Sequence, residues 1–138
     1  MADLSPRLRL AITRTARRLR QEADAGLSPS LTAALATLER HGPLTPSRLA
    51  EVERIQRPTV TRLVATLEED GLVTREPDPD DRRVSHIRIT KEGRALVKKL
   101  RSRKNAYLSR RLRNLDDEEL ETLERATTIL ERILEEPE

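Results

Sequence analysis

Two short stretches hold the residues best suited to chemistry. The first is Arg57-Pro58-Thr59-Val60-Thr61-Arg62. Arginine carries a planar fork of donors that matches phosphate oxygens and the acceptor edge of guanine. The hydroxyls of Thr59 and Thr61 can contact base edges or phosphate oxygens. The second stretch is Asp81-Arg82-Arg83, in a loop with two prolines and three aspartates. Arg82 could serve a phosphate beside it. Ser47, further upstream, is another candidate phosphate donor. Each residue also has a plainer reading. Thr59 and Thr61 could be solvated helix surface, and Asp81–Arg83 a surface ion pair that only stiffens a turn.

Other chemistries find little support. The chain has no cysteine, so disulfides, thiolate redox switching and cysteine–metal sites are excluded. Its only histidines, His41 and His86, fall at a helix end and on a strand, with no nucleophile motif nearby, so an enzyme is not expected. Asp78, Asp80 and Asp81 resemble a metal loop but lack the glycine and terminal glutamate of a calcium site. No cofactor and no metal are expected. No apolar run approaches the ~18 residues of a membrane span, and Met1–Leu10 lacks a signal core. A cytoplasmic protein with no membrane partner is the expectation.

The elements that must position these residues read as six helices and a hairpin. A helix is expected from Leu4 to about Asp24, with Leu4, Leu8, Ala11, Ile12, Thr15 and Leu19 near one face and Gly26 beyond its end. Ser28 caps a second helix that opens on Pro29 and ends at His41-Gly42-Pro43. Thr45 caps a third, about Pro46 to Glu53, with Leu44 and Leu49 placed as a hydrophobic staple. The link Arg54-Ile55-Gln56-Arg57 has no glycine, which many helix-turn-helix turns carry.

Pro58 opens the fourth helix, to about Asp70, with Val60, Leu63, Val64 and Leu67 facing inward. Pro58, Thr61, Arg62 and Ala65 then face outward, with no acid before Glu68. Strands are expected at Leu72–Arg75 and Val84–Ile89, around a loop at Glu76–Arg83. Thr90 caps a basic helix from about Lys91 to Arg113. Asp116 and Glu119 form a capping-box pair at the head of the last helix, whose seam is Leu120, Leu123, Thr127, Leu130 and Leu134.

Length and composition frame these elements. A chain of 138 residues suggests one domain with a modest core. Hydrophobic residues make up 36% and charged residues 37%, and the single Tyr is the only aromatic residue. So lean an apolar content suggests that a second chain supplies some of the burial. Charge is segregated: Arg82–Arg113 has thirteen Lys/Arg against one acid, and Asn114–Glu138 has ten acids against two bases. That pattern suits an anionic polymer partner, or two solvated helix faces of opposite sign.

Several motifs in this order closely resemble the MarR family of bacterial transcription regulators. They are Pro58-Thr59-Val60-Thr61-Arg62-Leu63, Leu67-Glu68-Glu69-Asp70-Gly71-Leu72-Val73 with Arg75, Asp80-Asp81-Arg82-Arg83, and Ile89-Thr90-Lys91-Glu92-Gly93. The resemblance implies a mainly α winged helix-turn-helix fold, with residues 28–90 as reading head and residues 1–27 and 91–138 as dimerisation helices. It implies a homodimer on pseudo-palindromic double-stranded DNA, usually a repressor, often released by a small aromatic or phenolic effector. By the same resemblance Arg83 reaches into the minor groove and Asp81 helps to hold it. Ser47, Arg57, Pro58, Thr59, Thr61, Arg62, Asp81, Arg82 and Arg83 are the expected DNA-binding residues. The rival is a winged-helix module that binds another protein, which calls for an apolar or acidic reading face instead of arginines and threonines.

Overall fold

The computed structural model describes residues 3–137. Its elements run α1 Leu4–Glu22, α2 Pro29–His41, α3 Pro46–Glu53, α4 Arg57–Glu69, β1 Val73–Pro77, β2 Ser85–Ile89, α5 Lys91–Leu112 and α6 Asp117–Glu135. This is the expected order of six helices around one hairpin. No helix among the described residues is long and apolar enough to cross a membrane.

Local chemistry explains most boundaries. Ser28 Oγ accepts from the Leu31 amide at 3.2 Å, Thr45 Oγ1 from the Arg48 amide at 3.1 Å and Thr90 Oγ1 from the Gly93 amide at 3.0 Å. Each satisfies a donor that a helix start otherwise leaves orphaned. Asp116 and Glu119 form both halves of the capping box. Gly42 ends α2 at φ +80°, a conformation that costs glycine no Cβ clash.

Four details differ from the sequence reading. First, α4 begins at Arg57, so Pro58 occupies its second position and Gln56 its cap. The carbonyl of Gln56 already accepts from Thr59 and Val60, which draws Arg57 into the first turn. Second, β1 lies further along and runs to Pro77, opposite Ser85. Proline is tolerated there because it closes the ladder of a two-stranded sheet. Third, the glycine missing from the helix-turn-helix link is replaced by Arg54 itself, left-handed at φ 55° and ψ 45°. Fourth, Leu44 does more than staple α3. Its amide donates to the Ile87 carbonyl at 3.1 Å and its carbonyl accepts from the Ile87 amide at 2.7 Å. One residue thus bridges the hairpin to the head of α3.

The core lies where α2, α3 and α4 meet the hairpin and the first half of α5. Leu35, Leu38, Leu49, Val60, Val64, Leu67 and Ile87 are almost fully enclosed, and Val97 of α5 joins the same cluster. The inward stripe of α4 is as expected, except that Leu63 is only half-buried. At the joint between hairpin and α5 a Cβ on Gly93 would sit 2.3 Å from the Leu72 carbonyl oxygen. Only glycine lets that turn close. By contrast, neither α1 nor α6 contains a buried residue.

Candidate nucleic-acid interface

Two helix starts and the loop end of the hairpin converge on one polar groove. Thr45, Pro46 and Ser47 at the head of α3, Arg57 at the head of α4, and Arg75, Arg83, Val84 and Ser85 of the wing line it. Arg57 Nη1 donates to Ser47 Oγ at 2.6 Å. Ser47 and Arg57, ten residues apart in sequence, therefore act as one polar pair. The groove combines three guanidinium groups with serine and threonine hydroxyls. Its charge and donors suit a backbone phosphate.

From the groove, the outward face of α4 continues the donor surface. Pro58, Thr61, Arg62 and Ala65 are exposed, as their spacing predicts, while Thr59 is half-buried. Thr61 Oγ1 donates back to the Arg57 carbonyl at 3.2 Å. That bond fixes its rotor and leaves its lone pairs outward, so Thr61 is set to accept. Arg62 Nη2 lies 3.4 Å from Thr59 Oγ1, a long contact that is easily exchanged.

The wing tip is built around two aspartates. Asp78 Oδ2 accepts from the amides of Asp80 and Asp81 at 2.9 and 3.0 Å, and Asp78 Oδ1 lies 2.7 Å from His86 Nε2. The His86 bond and these amides hold the Asp78 carboxyl below the usual carboxylate range. Asp81 grips Arg83 with two parallel bonds, Nε to Oδ1 at 3.0 Å and Nη2 to Oδ2 at 3.1 Å, and also accepts the Arg83 amide. This pairing lowers the Asp81 pKa and raises that of Arg83. The Arg83 side chain is still 89% exposed, so the clamp aims the guanidinium without covering it. Arg82 is exposed on the same loop but does not line the groove.

The structure thus gathers Ser47, Arg57 and Arg83 into one site, with Thr61 and Arg62 beside it on α4. Two contributors escaped the sequence reading. Arg75 lines the groove and pairs with Glu68 at 3.2 Å. Its placement follows from strand register, which sequence pattern does not reveal. His86 is on the expected strand and is half-buried as the partner of Asp78, a pairing the strand assignment alone does not give. The spacing of Asp78 and His86 across a tight hairpin was the available signal.

Comparison with known proteins agrees with this architecture. A MarR family profile matches residues 27–85. An uncharacterized HTH-type transcriptional regulator of Mycobacterium leprae is 35% identical over 136 residues, covering 98% of this chain and 95% of that protein. The HTH-type transcriptional repressor MdtR of Bacillus subtilis is 32% identical over 95 residues, covering 69% of this chain and 61% of MdtR. The solved structure of a MarR family protein from Bacillus stearothermophilus superposes with a TM-score of 0.84 at 26% identity, covering 98% of this chain and 95% of that one. By whole-length similarity and by fold, the chain belongs to the MarR family of transcriptional regulators.

Proposed function

We propose that this regulator acts as a homodimer that reads a pseudo-palindromic duplex with α4 in the major groove and Arg83 in the minor groove. One observation carries the reading: the outer face of α4, free of acids before Glu68, adjoins a single three-arginine groove that includes the clamped, exposed Arg83. A strand of DNA between two grooves would lay its phosphate there. Ser47, Arg57 and Arg75 are its phosphate donors, Pro58, Thr59, Thr61 and Arg62 face base edges, and Arg82 meets a flanking phosphate. Dimerisation is supported by Leu4, Leu8, Leu10 and Ile12 of α1 and Leu120, Leu123, Ile129, Ile133 and Leu134 of α6, all exposed in the lone chain. Repression would follow from occupying the operator, and is supported by the similarity to MdtR, a repressor.

A small aromatic or phenolic effector belongs to the same reading. It would act between the dimer helices and the reading head, where binding could change the spacing of the two heads.

The test is selection of bound duplexes from a random pool, followed by titration at rising salt. Neutralised phosphates release counterions, so affinity should fall steeply on a log–log plot. A flat response, or no binding at low salt, rejects the regulator reading and favours the protein-interaction module.

A further inference from the structure

The two unburied helices carry opposite charge beside matching apolar stripes. α1 has six arginines and one acid, Glu22, at its last position. α6 has seven acids and two arginines. The arrangement is more telling than the counts. Arg7, Arg14 and Arg18 recur at spacings of seven and four, so they line one edge of the stripe formed by Leu4, Leu8, Ala11 and Thr15. Asp117, Glu124, Glu131 and Glu135 recur at the same spacings and line one edge of the stripe formed by Leu120, Leu123, Thr127 and Leu134.

Within the chain these charges are almost unpaired. Among the described residues, the four acids of that edge form no ion pair, and the arginine edge forms only the exposed Arg18–Glu22 bridge. On the α5 side, Arg18 and Arg111 lie 5.7 and 5.9 Å from the centroid of the Tyr107 ring.

We propose that the acidic edge of α6 seats against the arginine edge of α1 in a second copy of this chain, and that this match selects the partner. The inference rests on the dimer reading above and adds the force that orients it. Apolar stripes alone would accept many amphipathic helices, whereas opposite-sign edges fix register and disfavour copies with like charge. The occupant is a second copy because the complement of each face is encoded on the other helix of the same chain.

Reciprocal charge reversal tests this in the full chain. One variant carries Glu124→Arg with Glu131→Arg, the other Arg7→Glu with Arg14→Glu. Sedimentation equilibrium should show each alone self-associating about tenfold or more weaker than the unmodified protein at low salt. Mixed together they should form heterodimers, because both contacts are complementary again. The unmodified dimer, measured independently of any variant, should loosen as salt rises from about 0.05 to 0.5 M, since exposed pairs are screened. Variants that self-associate as tightly as the parent, or a dimer indifferent to salt, would overturn the charge match and leave the dimer standing. An unmodified chain that stays monomeric at every concentration would remove the dimer reading itself.

Discussion

The Asp81–Arg83 pair is worth little as a stabilising contact, because both groups meet solvent and water screens them. Its value lies in geometry. Two parallel bonds hold a long, rotamer-rich side chain at one orientation, so less freedom would be lost in the proposed DNA contact. Arg83→Ala should therefore weaken operator binding by about 10- to 100-fold while sedimentation still reports the parent oligomer. Unchanged affinity would take the wing out of the mechanism. Arg62→Ala should behave differently: if it reads a base, the loss is similar in size but confined to duplexes with the preferred base at one position. A uniform loss across all sequences would reassign Arg62 to phosphate. The aspartates also predict a pH response of known sign. Both carboxyls are depressed in the folded protein, so their stabilisation is full above the ordinary value of 3.8 and disappears as pH falls through the lower folded values. NMR titration of the Asp78 and Asp81 carboxyls should give midpoints below 3.8; midpoints at or above it would mean that the His86 and Arg83 contacts do not persist in solution.

At the level of elements, the reading head depends on how tightly the hairpin is fastened to α5. Thr90 Oγ1 donates to the Gly71 carbonyl at 2.8 Å while accepting the Gly93 amide, so one hydroxyl ties the end of α4 to the start of α5. Gly93 lets the same turn close against the Leu72 carbonyl. Gly93→Ala must push backbone aside, so urea unfolding should show a loss of about 1–3 kcal/mol, the usual cost of overpacking. Stability equal to the parent would mean that the joint has slack. Sequence reasoning found this turn's cap but not its close approach, and the contrast is general here. Ser28, Thr45, Thr90 and Asp116 were readable as caps because capping is a local contest between a side chain and the first amides. The face of α4 was readable because helical period alone sets it. The Leu44–Ile87 bridge, the Ser47–Arg57 bond and the place of Arg75 in the groove join residues 8 to 43 positions apart, and no local pattern specifies such pairings. The expected DNA-binding residues were thus recognisable by type, while the groove that unites several of them emerged only from the fold.

At the scale of the molecule, the proposed homodimer would owe its affinity and specificity to presenting two reading heads at once. A single head with a handful of cationic side chains would bind DNA weakly, and most of that binding would be indifferent to sequence. Two heads related by a two-fold axis engage half-sites about 10 bp apart, and the second contact becomes intramolecular once the first has formed. The long α5 and α6 are well suited to fix that separation, because helices of 22 and 19 residues transmit spacing better than loops. This makes operator geometry a test of the whole assembly. Inserting about 5 bp between half-sites places the second half-site on the opposite face of the duplex, and affinity should drop toward that of one isolated half-site. Inserting about 10 bp restores the face but stretches the span, so a stiff dimer recovers little and a hinged one recovers much. Electrophoretic mobility shifts on the three duplexes distinguish these cases. Equal affinity for the parent and the 5 bp insertion would mean that the heads bind independently, and the two-fold reading of the operator would fail.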